Sequence, residues 1–236
     1  LHTIVYKMRR FNVLLVRHGK SVWNHDSKFT GWTNIPLTEQ GRSDARKIAQ
    51  TLRSNNIIPT VFFSSVLQRS LESATIIKQS LNSDADILTS WRLNEKHYGT
   101  LEGVEREYIR NVYGNRFTSM MRSNFYMKPP VIKSIPQQTE YPIFKNCYFD
   151  TIKYGESKEN VLTRLLPYFQ NDILYTITQD KLPLVVTHKH CLRVIMKHYL
   201  SLSDEEFEEF DISSNVILML KFDEDFVFHG CNVLHY

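Results

Sequence analysis

Apolar residues occur along the chain in short continuous runs, each followed by a polar junction and an amphipathic segment. The first run lies at residues 11–17, where four apolar residues stand side by side without alternation. A continuous run of this length is typical of a strand covered on both faces, as in a parallel sheet. The same order returns at residues 61–63 and 184–186. The pattern therefore predicts repeated strand–helix units.

Helical spacing follows each of these strands. Residues 38–53 place apolar side chains at helical intervals behind an N-capping threonine, and residues 66–81 and 191–200 predict two further helices. Residues 216–222 and 227–229 predict closing strands at the edge of the sheet. Because strands alternate with helices, we expect an α/β protein with three αβα layers and a mainly parallel sheet.

The organisation is that of one domain. We expect an N-terminal extension at residues 1–10 and a single domain at 11–236. Near 127–156 the chain carries four prolines without a sustained period, which predicts an irregular insertion or lid. The three cysteines are widely spaced and form no CxxC pair, and the first ten residues lack an apolar signal segment. These features favour the cytoplasm.

Charge and hydropathy exclude several classes of function. Lys and Arg number 29 and Asp and Glu 25 among 236 residues, so the net charge is only +4. The basic residues are scattered, which argues against a nucleic-acid partner. The apolar runs are too short to cross a bilayer, so we expect no membrane partner.

The candidate chemistry lies where predicted strands end. Arg17 and His18 follow the first strand, His188 follows a later one, and Arg69 lies in the first turn after another. Ligands of α/β sheets bind at the carboxyl ends of strands, so these groups can share one crevice. Two histidines and two arginines there favour a highly charged anion such as phosphate. A neutral imidazole can attack a phosphoryl group while arginines hold its oxygens.

Four segments carry a resemblance to a known family. They are LVRHGKSVWN (15–24), KFTGWTNIPLTEQGR (28–42), SSVLQRSLESA (64–74) and WRLNEKHYGTLEG (91–103). They resemble the cofactor-dependent phosphoglycerate mutases of the histidine phosphatase superfamily. The resemblance implies the fold of that superfamily, a 2,3-bisphosphoglycerate primer, a small phosphorylated substrate, no metal, and a homodimer or homotetramer.

The resemblance also implies roles for individual residues. His18 would become the phosphohistidine, Glu95 the proton donor and acceptor, and His188 the second active-site histidine, with Arg17 and Arg69 on the phosphate. The residues expected to bind substrate are Asn24, Thr30, Gly31, Tyr98, Arg106, Arg122, Lys189 and His190.

The expected chemistry is metal-free phosphoryl transfer. We expect a protonated His188 to help neutralise the phosphoryl oxygens, and Glu95 to give a proton from a carboxyl whose pKa is raised. An alternative is that Glu95 forms a surface ion pair with Lys96 or Arg92. A second alternative is that His188 and His190 chelate zinc from one strand face, although no third ligand is visible at a metal-like spacing.

Three departures from the family pattern leave several functions open. The family's His-Gly-Asn reads His188-Lys189-His190, its paired arginines read Met121-Arg122, and its lysine-containing tail is not found before Tyr236. Our leading hypothesis is a phosphoglycerate mutase of glycolysis and gluconeogenesis that interconverts 3- and 2-phosphoglycerate. The alternatives are a phosphatase acting on a small phosphometabolite, and a catalytically weak phosphometabolite-binding homologue.

Overall fold

The computed structural model describes residues 10–130 and 155–236. The strands β1 to β6 are Phe11–Arg17, Val61–Ser64, Ile87–Thr89, Pro183–Thr187, Val216–Phe222 and Phe228–His235. The helices α1 to α7 are Val22–His25, Glu39–Ser54, Gln68–Ser80, Arg106–Ser123, Lys158–Tyr168, Lys189–Leu200 and Asp204–Glu209. Most of the predicted extension, residues 1–9, and of the predicted insertion, residues 131–154, lies outside the described residues.

The strands form one sheet in the order β3-β2-β4-β1-β5-β6. The first four are parallel to one another, β5 pairs with β1 in antiparallel fashion, and β6 pairs with β5 in antiparallel fashion. The predicted mainly parallel α/β sheet is confirmed. The three-residue strand β3 was not predicted, and β6 is longer than predicted because its half-exposed residues carry no clear apolar pattern. Of the helices within the described ranges, none combines the length and hydropathy needed to cross a bilayer.

The continuous apolar run of β1 is explained by helices on both faces of the sheet. Val13 and Leu15 pack in one core with residues of α5 and α6, whereas Leu14 and Val16 pack in the other with residues of α2 and α3. All four side chains are fully buried. Since neighbouring residues of a strand point to opposite faces, both layers need apolar contacts. The three αβα layers are therefore confirmed.

The register of the sheet brings the two strand-end histidines together. β1 and β4 are parallel neighbours, and Arg17 is paired with Thr187. The next residues, His18 and His188, therefore leave the sheet side by side. The backbone N–H of His18 donates to the carbonyl of Thr187 at 2.9 Å, which fixes this junction.

A close approach of backbones holds the loop after β1 against α2. A Cβ atom added at Gly41 would lie 2.2 Å from the carbonyl oxygen of Lys20. A glycine-to-alanine change within a helix normally stabilises a protein by roughly 0.5–1 kcal/mol. We expect Gly41→Ala instead to destabilise this protein by about 1–3 kcal/mol, because the backbone must shift.

Chemical denaturation measures this effect. Gln40→Ala, at an exposed position of the same helix, serves as the control. An increase in the free energy of unfolding of the Gly41→Ala protein would contradict the close approach.

Candidate active site

A cavity of about 350 Å³ opens where the parallel strands end. Its lining includes the following residues predicted from the sequence: Arg17, His18, Asn24, Thr30, Gly31, Arg69, Glu95, Tyr98, Arg106, Arg122, Lys189 and His190. His188 lies behind this lining and is fully buried, with its ring centroid 4.8 Å from that of His18. We call this space the catalytic cavity.

The His18 ring is held in one orientation by its own loop. Its Nδ1 lies 2.6 Å from the carbonyl oxygen of Gly19. A carbonyl can only accept, so Nδ1 carries the proton and Nε2 keeps its lone pair. Burial, followed by the charges of Arg69 and Arg17, holds the pKa of His18 well below its ordinary value. His18 is thus a neutral imidazole with a free basic nitrogen, the form that a nucleophile requires.

Two arginines provide fixed positive charge beside His18. The Arg69 guanidinium donates to the carbonyl oxygens of Gly31 at 2.7 Å and Thr33 at 2.9 Å. Burial lowers the pKa of Arg69 to about 10, so it remains a cation near neutral pH. Arg17 lies 3.5 Å from the side-chain oxygen of Asn24, and within the described residues its buried Nε has no hydrogen-bond partner. Both arginines are therefore placed to bind an anion.

His188 differs from the prediction in its protonation. Burial, followed by the charges of Arg69 and His18, holds the pKa of His188 well below its ordinary value, so the expected protonated form was wrong. Its Nε2 lies 2.7 Å from the hydroxyl of Ser65, which accepts from the backbone N–H of Leu67 at 3.3 Å. In the tautomer in which the Ser65 hydroxyl donates to Nε2, the proton of His188 resides on Nδ1. That atom has no partner within the described residues, so a neutral His188 can donate to an anion.

Glu95 is buried and belongs to a hydrogen-bonded chain, so the alternative of a surface ion pair was wrong. Its Oε1 accepts from Nδ1 of His190 at 3.0 Å and from the backbone N–H of Lys96 at 2.8 Å. The hydroxyl of Tyr98 lies 3.4 Å from Nε2 of His190. Burial alone would raise the pKa of Glu95, but His190 and the Lys96 N–H outweigh it and lower this pKa well below its usual value. The expected raised pKa was therefore wrong, and Glu95 is ionised near neutral pH.

The zinc alternative also fails on geometry. His188 caps a helix that begins at Lys189, so His188 and His190 are not alternate residues of one strand. Their ring nitrogens contact different partners, Ser65 and Glu95. No group of three or more metal-ligating side chains occurs in the part of the chain that the structure describes.

The predicted substrate-binding residues lie on separate elements around the opening. Tyr98 packs on Phe29 with ring centroids 4.9 Å apart, and Arg106 on α4 donates to the carbonyl of Lys28 at 3.3 Å. Lys189 forms an ion pair with Asp211 at 2.6 Å. Met121 is fully buried in the apolar cluster that contains Phe29 and Tyr98. Met121, which stands where the family has the first of two paired arginines, thus contributes to the core and not to the cavity.

Several supporting residues were not predicted. The buried Glu102 accepts from the backbone N–H groups of Trp32, Thr33 and Tyr98 at 3.0–3.1 Å. This carboxylate therefore shapes the FTGW loop on which Thr30 and Gly31 lie. The signal was present, because Glu102 stands within the WRLNEKHYGTLEG motif, but a motif does not show which backbone atoms a carboxylate reaches.

A second support holds the backbone of Glu95. Arg164 donates to its carbonyl at 3.0 Å, and the buried Glu156 binds Arg164 at 2.7 Å. The indole N–H of Trp32 donates to the same carbonyl at 2.6 Å. The catalytic cavity also has four lining residues that sequence reasoning missed: Lys20, Asp44, Ser214 and Tyr236.

Comparison with known proteins agrees with this geometry. Relatives from Bifidobacterium longum and Buchnera aphidicola, both 2,3-bisphosphoglycerate-dependent phosphoglycerate mutases, are 33% and 32% identical to this chain. The matches cover 92% of this chain and 88% of the first relative, and 91% of this chain and 95% of the second.

Solved structures show the same fold. A mycobacterial glucosyl-3-phosphoglycerate phosphatase superposes with a TM-score of 0.70 at 19% identity, covering 97% of this chain and 98% of that one. Bacillus stearothermophilus YhfR superposes with a TM-score of 0.70 at 23% identity, covering 93% and 94% of the two chains.

The family model of the histidine phosphatase superfamily (branch 1) matches residues 13–229. This range contains most of β1 with the Arg-His-Gly element, and β4 with the second histidine. A mainly parallel sheet with two histidines at the ends of its strands and arginines beside them is what the sequence predicted. The chain belongs to branch 1 of the histidine phosphatase superfamily, and its similarity to phosphoglycerate mutases extends over nine-tenths of its length.

Proposed function

We propose that this protein is a phosphoglycerate mutase that interconverts 3- and 2-phosphoglycerate through a phosphohistidine at His18. One observation carries the proposal: His18, whose Nδ1 is held by the Gly19 carbonyl, and Glu95 line the same cavity, with Arg17 and Arg69 beside them. The curated relatives of about one-third identity bear the name of this activity.

The cavity suits the phosphate groups of a 2,3-bisphosphoglycerate primer. Among the described residues, Arg17 Nε, Thr30 Oγ1 and His188 Nδ1 are buried polar atoms without hydrogen-bond partners. Buried polar atoms are costly unless they are paired, and phosphate oxygens are strong acceptors for N–H and O–H groups. When bound, the primer supplies the phosphoryl group that His18 carries.

The ionised state of Glu95 sets the direction of its proton transfer. While His18 carries the phosphoryl group, the Glu95 carboxylate accepts the proton of the attacking substrate hydroxyl. A P–O bond forms, the P–N bond breaks, and the electron pair of that bond returns to Nε2 of His18. In the reverse half-reaction Nε2 takes the other phosphoryl group, and Glu95 returns its proton to the leaving oxygen.

The charge of bound phosphate supports the second role of Glu95. Negative charge near a carboxylate disfavours its ionised form and raises its pKa. Arg17, Arg69 and the Nδ1–H of His188 stabilise the phosphoryl oxygens during both transfers. The lowered pKa of Glu95 in the free protein and proton donation in the complex are therefore compatible.

A phosphatase acting on a small phosphometabolite is a second candidate, favoured by two observations. Met121 lies in the core where the family has a substrate-binding arginine, and His190 binds Glu95 where the family has asparagine. Losing a charge-assisted bond to substrate weakens binding by about 1.5–3 kcal/mol. A substrate held less firmly favours attack of water on the phosphohistidine over transfer to the glycerate.

A coupled assay with 3-phosphoglycerate, with and without 2,3-bisphosphoglycerate, tests the proposal. We expect 2-phosphoglycerate to form, and to form faster with the primer. Timing of inorganic phosphate against isomer formation separates the candidates, and release of phosphate without any isomer contradicts the mutase. Acid-labile, alkali-stable label transferred from labelled primer excludes a protein that only binds.

The contact between His190 and Glu95 predicts a shift in the pH profile. The Nδ1–H of His190 stabilises the ionised carboxyl, so His190→Leu removes a cause of its lowered pKa and leaves burial to raise it. We expect the acid limb of kcat/KM to move to higher pH by about 1–2 units. His190→Asn can still donate a hydrogen bond, so it serves as the control with a smaller shift. An unmoved acid limb in His190→Leu would contradict the proposed base.

A further inference from the structure

A second cavity, of about 510 Å³, adjoins the catalytic cavity. Arg106, Arg122, Lys189 and His190 line both cavities and form their common wall. The rest of the second cavity is lined from α4, α6 and the segment around α7, including Arg110, Ser119, Arg193, Glu208 and Asp211. The two cavities are therefore separated by a wall that carries three basic side chains, Arg106, Arg122 and Lys189.

The lining of the second cavity carries an excess of positive charge. Five of its residues are arginine or lysine, against two carboxylates. Asp211 is paired with Lys189 at 2.6 Å, and Glu208 accepts from the side-chain amide of Asn124 at 2.7 Å. Within residues 10–130 and 155–236, none of the four lining arginines forms an ion pair with a carboxylate. This unpaired charge favours an anionic ligand.

Arg193 is a largely buried residue of the second cavity's lining. The side chain is only 4% exposed, and its terminal nitrogens donate to the backbone carbonyls of Arg122 and Phe207. Its Nε is buried and has no partner among the described residues. A buried donor without an acceptor is costly, so Arg193 adds a positive group to this lining that is not fully satisfied among the described residues.

Repulsion between Arg106 and Arg122 in the common wall also favours an anionic ligand. Burial, followed by the charge of Arg122, lowers the pKa of Arg106. An anion between Arg106 and Arg122 would offset their repulsion. It would also compensate the guanidinium groups for the hydration that burial removes. Arginine is suited to this contact because its planar fork matches the oxygens of phosphate.

We propose that the second cavity is a subsite for a phosphate-class anion that extends the catalytic cavity. The ligand is either a free phosphate ion or the distal phosphate of a substrate with a carbon chain longer than glycerate. The second form rests on the proposed phosphoryl transfer at His18, whereas binding of the free ion does not.

Calorimetric titration with inorganic orthophosphate at low salt tests the subsite without any turnover. Arg110 lines the second cavity and not the catalytic one, so Arg110→Glu should weaken one class of phosphate sites about tenfold or more. Arg116→Glu makes the same charge change at an exposed position of α4 outside both cavities. Equal affinities and stoichiometries in the two variants would overturn the proposal.

Steady-state kinetics then identify the source of the anion. We compare 3-phosphoglycerate with fructose 1,6-bisphosphate as the phosphoryl donor or acceptor. A KM raised about tenfold by Arg110→Glu for the bisphosphate alone supports a tethered second phosphate. Inhibition by orthophosphate that does not compete with 3-phosphoglycerate and is lost in Arg110→Glu supports a free ion. A protein that turns over neither compound contradicts the proposed function, while the titration still decides the subsite.

Discussion

His18→Ala is expected to lower turnover by about 10⁴-fold or more, because the change removes the nucleophilic nitrogen of the proposed phosphohistidine. The Nδ1 contact with the Gly19 carbonyl fixes the tautomer, and burial, followed by the neighbouring arginines, lowers the pKa of the ring and keeps it neutral. His188 cannot substitute readily, since its Nε2 is engaged by Ser65. Both the isomerase and the phosphate-release rates should fall together.

His25→Ala is the matched control, because His25 is exposed and lies outside the catalytic cavity. Transfer of label from labelled 2,3-bisphosphoglycerate gives the direct readout. Label should appear on the unmodified and His25→Ala proteins and be absent from His18→Ala. Undiminished turnover in His18→Ala would remove the basis of the proposed function.

Glu95→Gln is expected to reduce kcat by about 10²–10⁴-fold while changing KM much less. Glutamine keeps the size of the side chain and an oxygen that can accept from His190 and the Lys96 N–H, but it cannot take a proton from the substrate. The fall in kcat therefore reports the loss of proton transfer and not a change in the position of the side chain. The acid limb of the pH profile should also disappear, because the group that titrates there has been replaced.

Glu107→Gln, at an exposed position in the first turn of α4, controls for the change in net charge. Rapid-quench measurement of label transfer to His18 locates the slowed step. A Glu95→Gln protein with unchanged kcat and an unchanged acid limb would show that another group moves the proton.

The sequence predicted correctly those structural features that depend only on residues close together in the chain. The Arg-His-Gly element follows β1 as expected, and α2 begins after the expected N-cap, Thr38, whose side chain accepts from the N–H of Gly41 at 3.1 Å. Such features depend on neighbouring residues, so the sequence shows them directly. Strand β3 and helix α4 were not predicted, because β3 is only three residues long and α4 is kinked at Gly114 and buries only three of its residues, so neither has a clear apolar period.

Protonation states were the least predictable part of the candidate site. The pKa of His188 depends on burial and on Arg69, and that of Glu95 on burial and on His190. His188 and Arg69 are 119 positions apart in the chain and Glu95 and His190 are 95 apart, so no local pattern reports their contacts. Expectations of a protonated His188 and a raised pKa of Glu95 failed for that reason.

The amino-acid sequence by itself determined the α/β class, the strand-end position of both histidines and membership of the superfamily, because hydrophobic period and short motifs are local properties. Only the tertiary structure decided that Glu95 is ionised against His190, that Met121 belongs to the core, and that arginines of α4 and α6 border a second cavity. Electrostatic energy depends on distance and burial in three dimensions, and these are set when distant segments pack together.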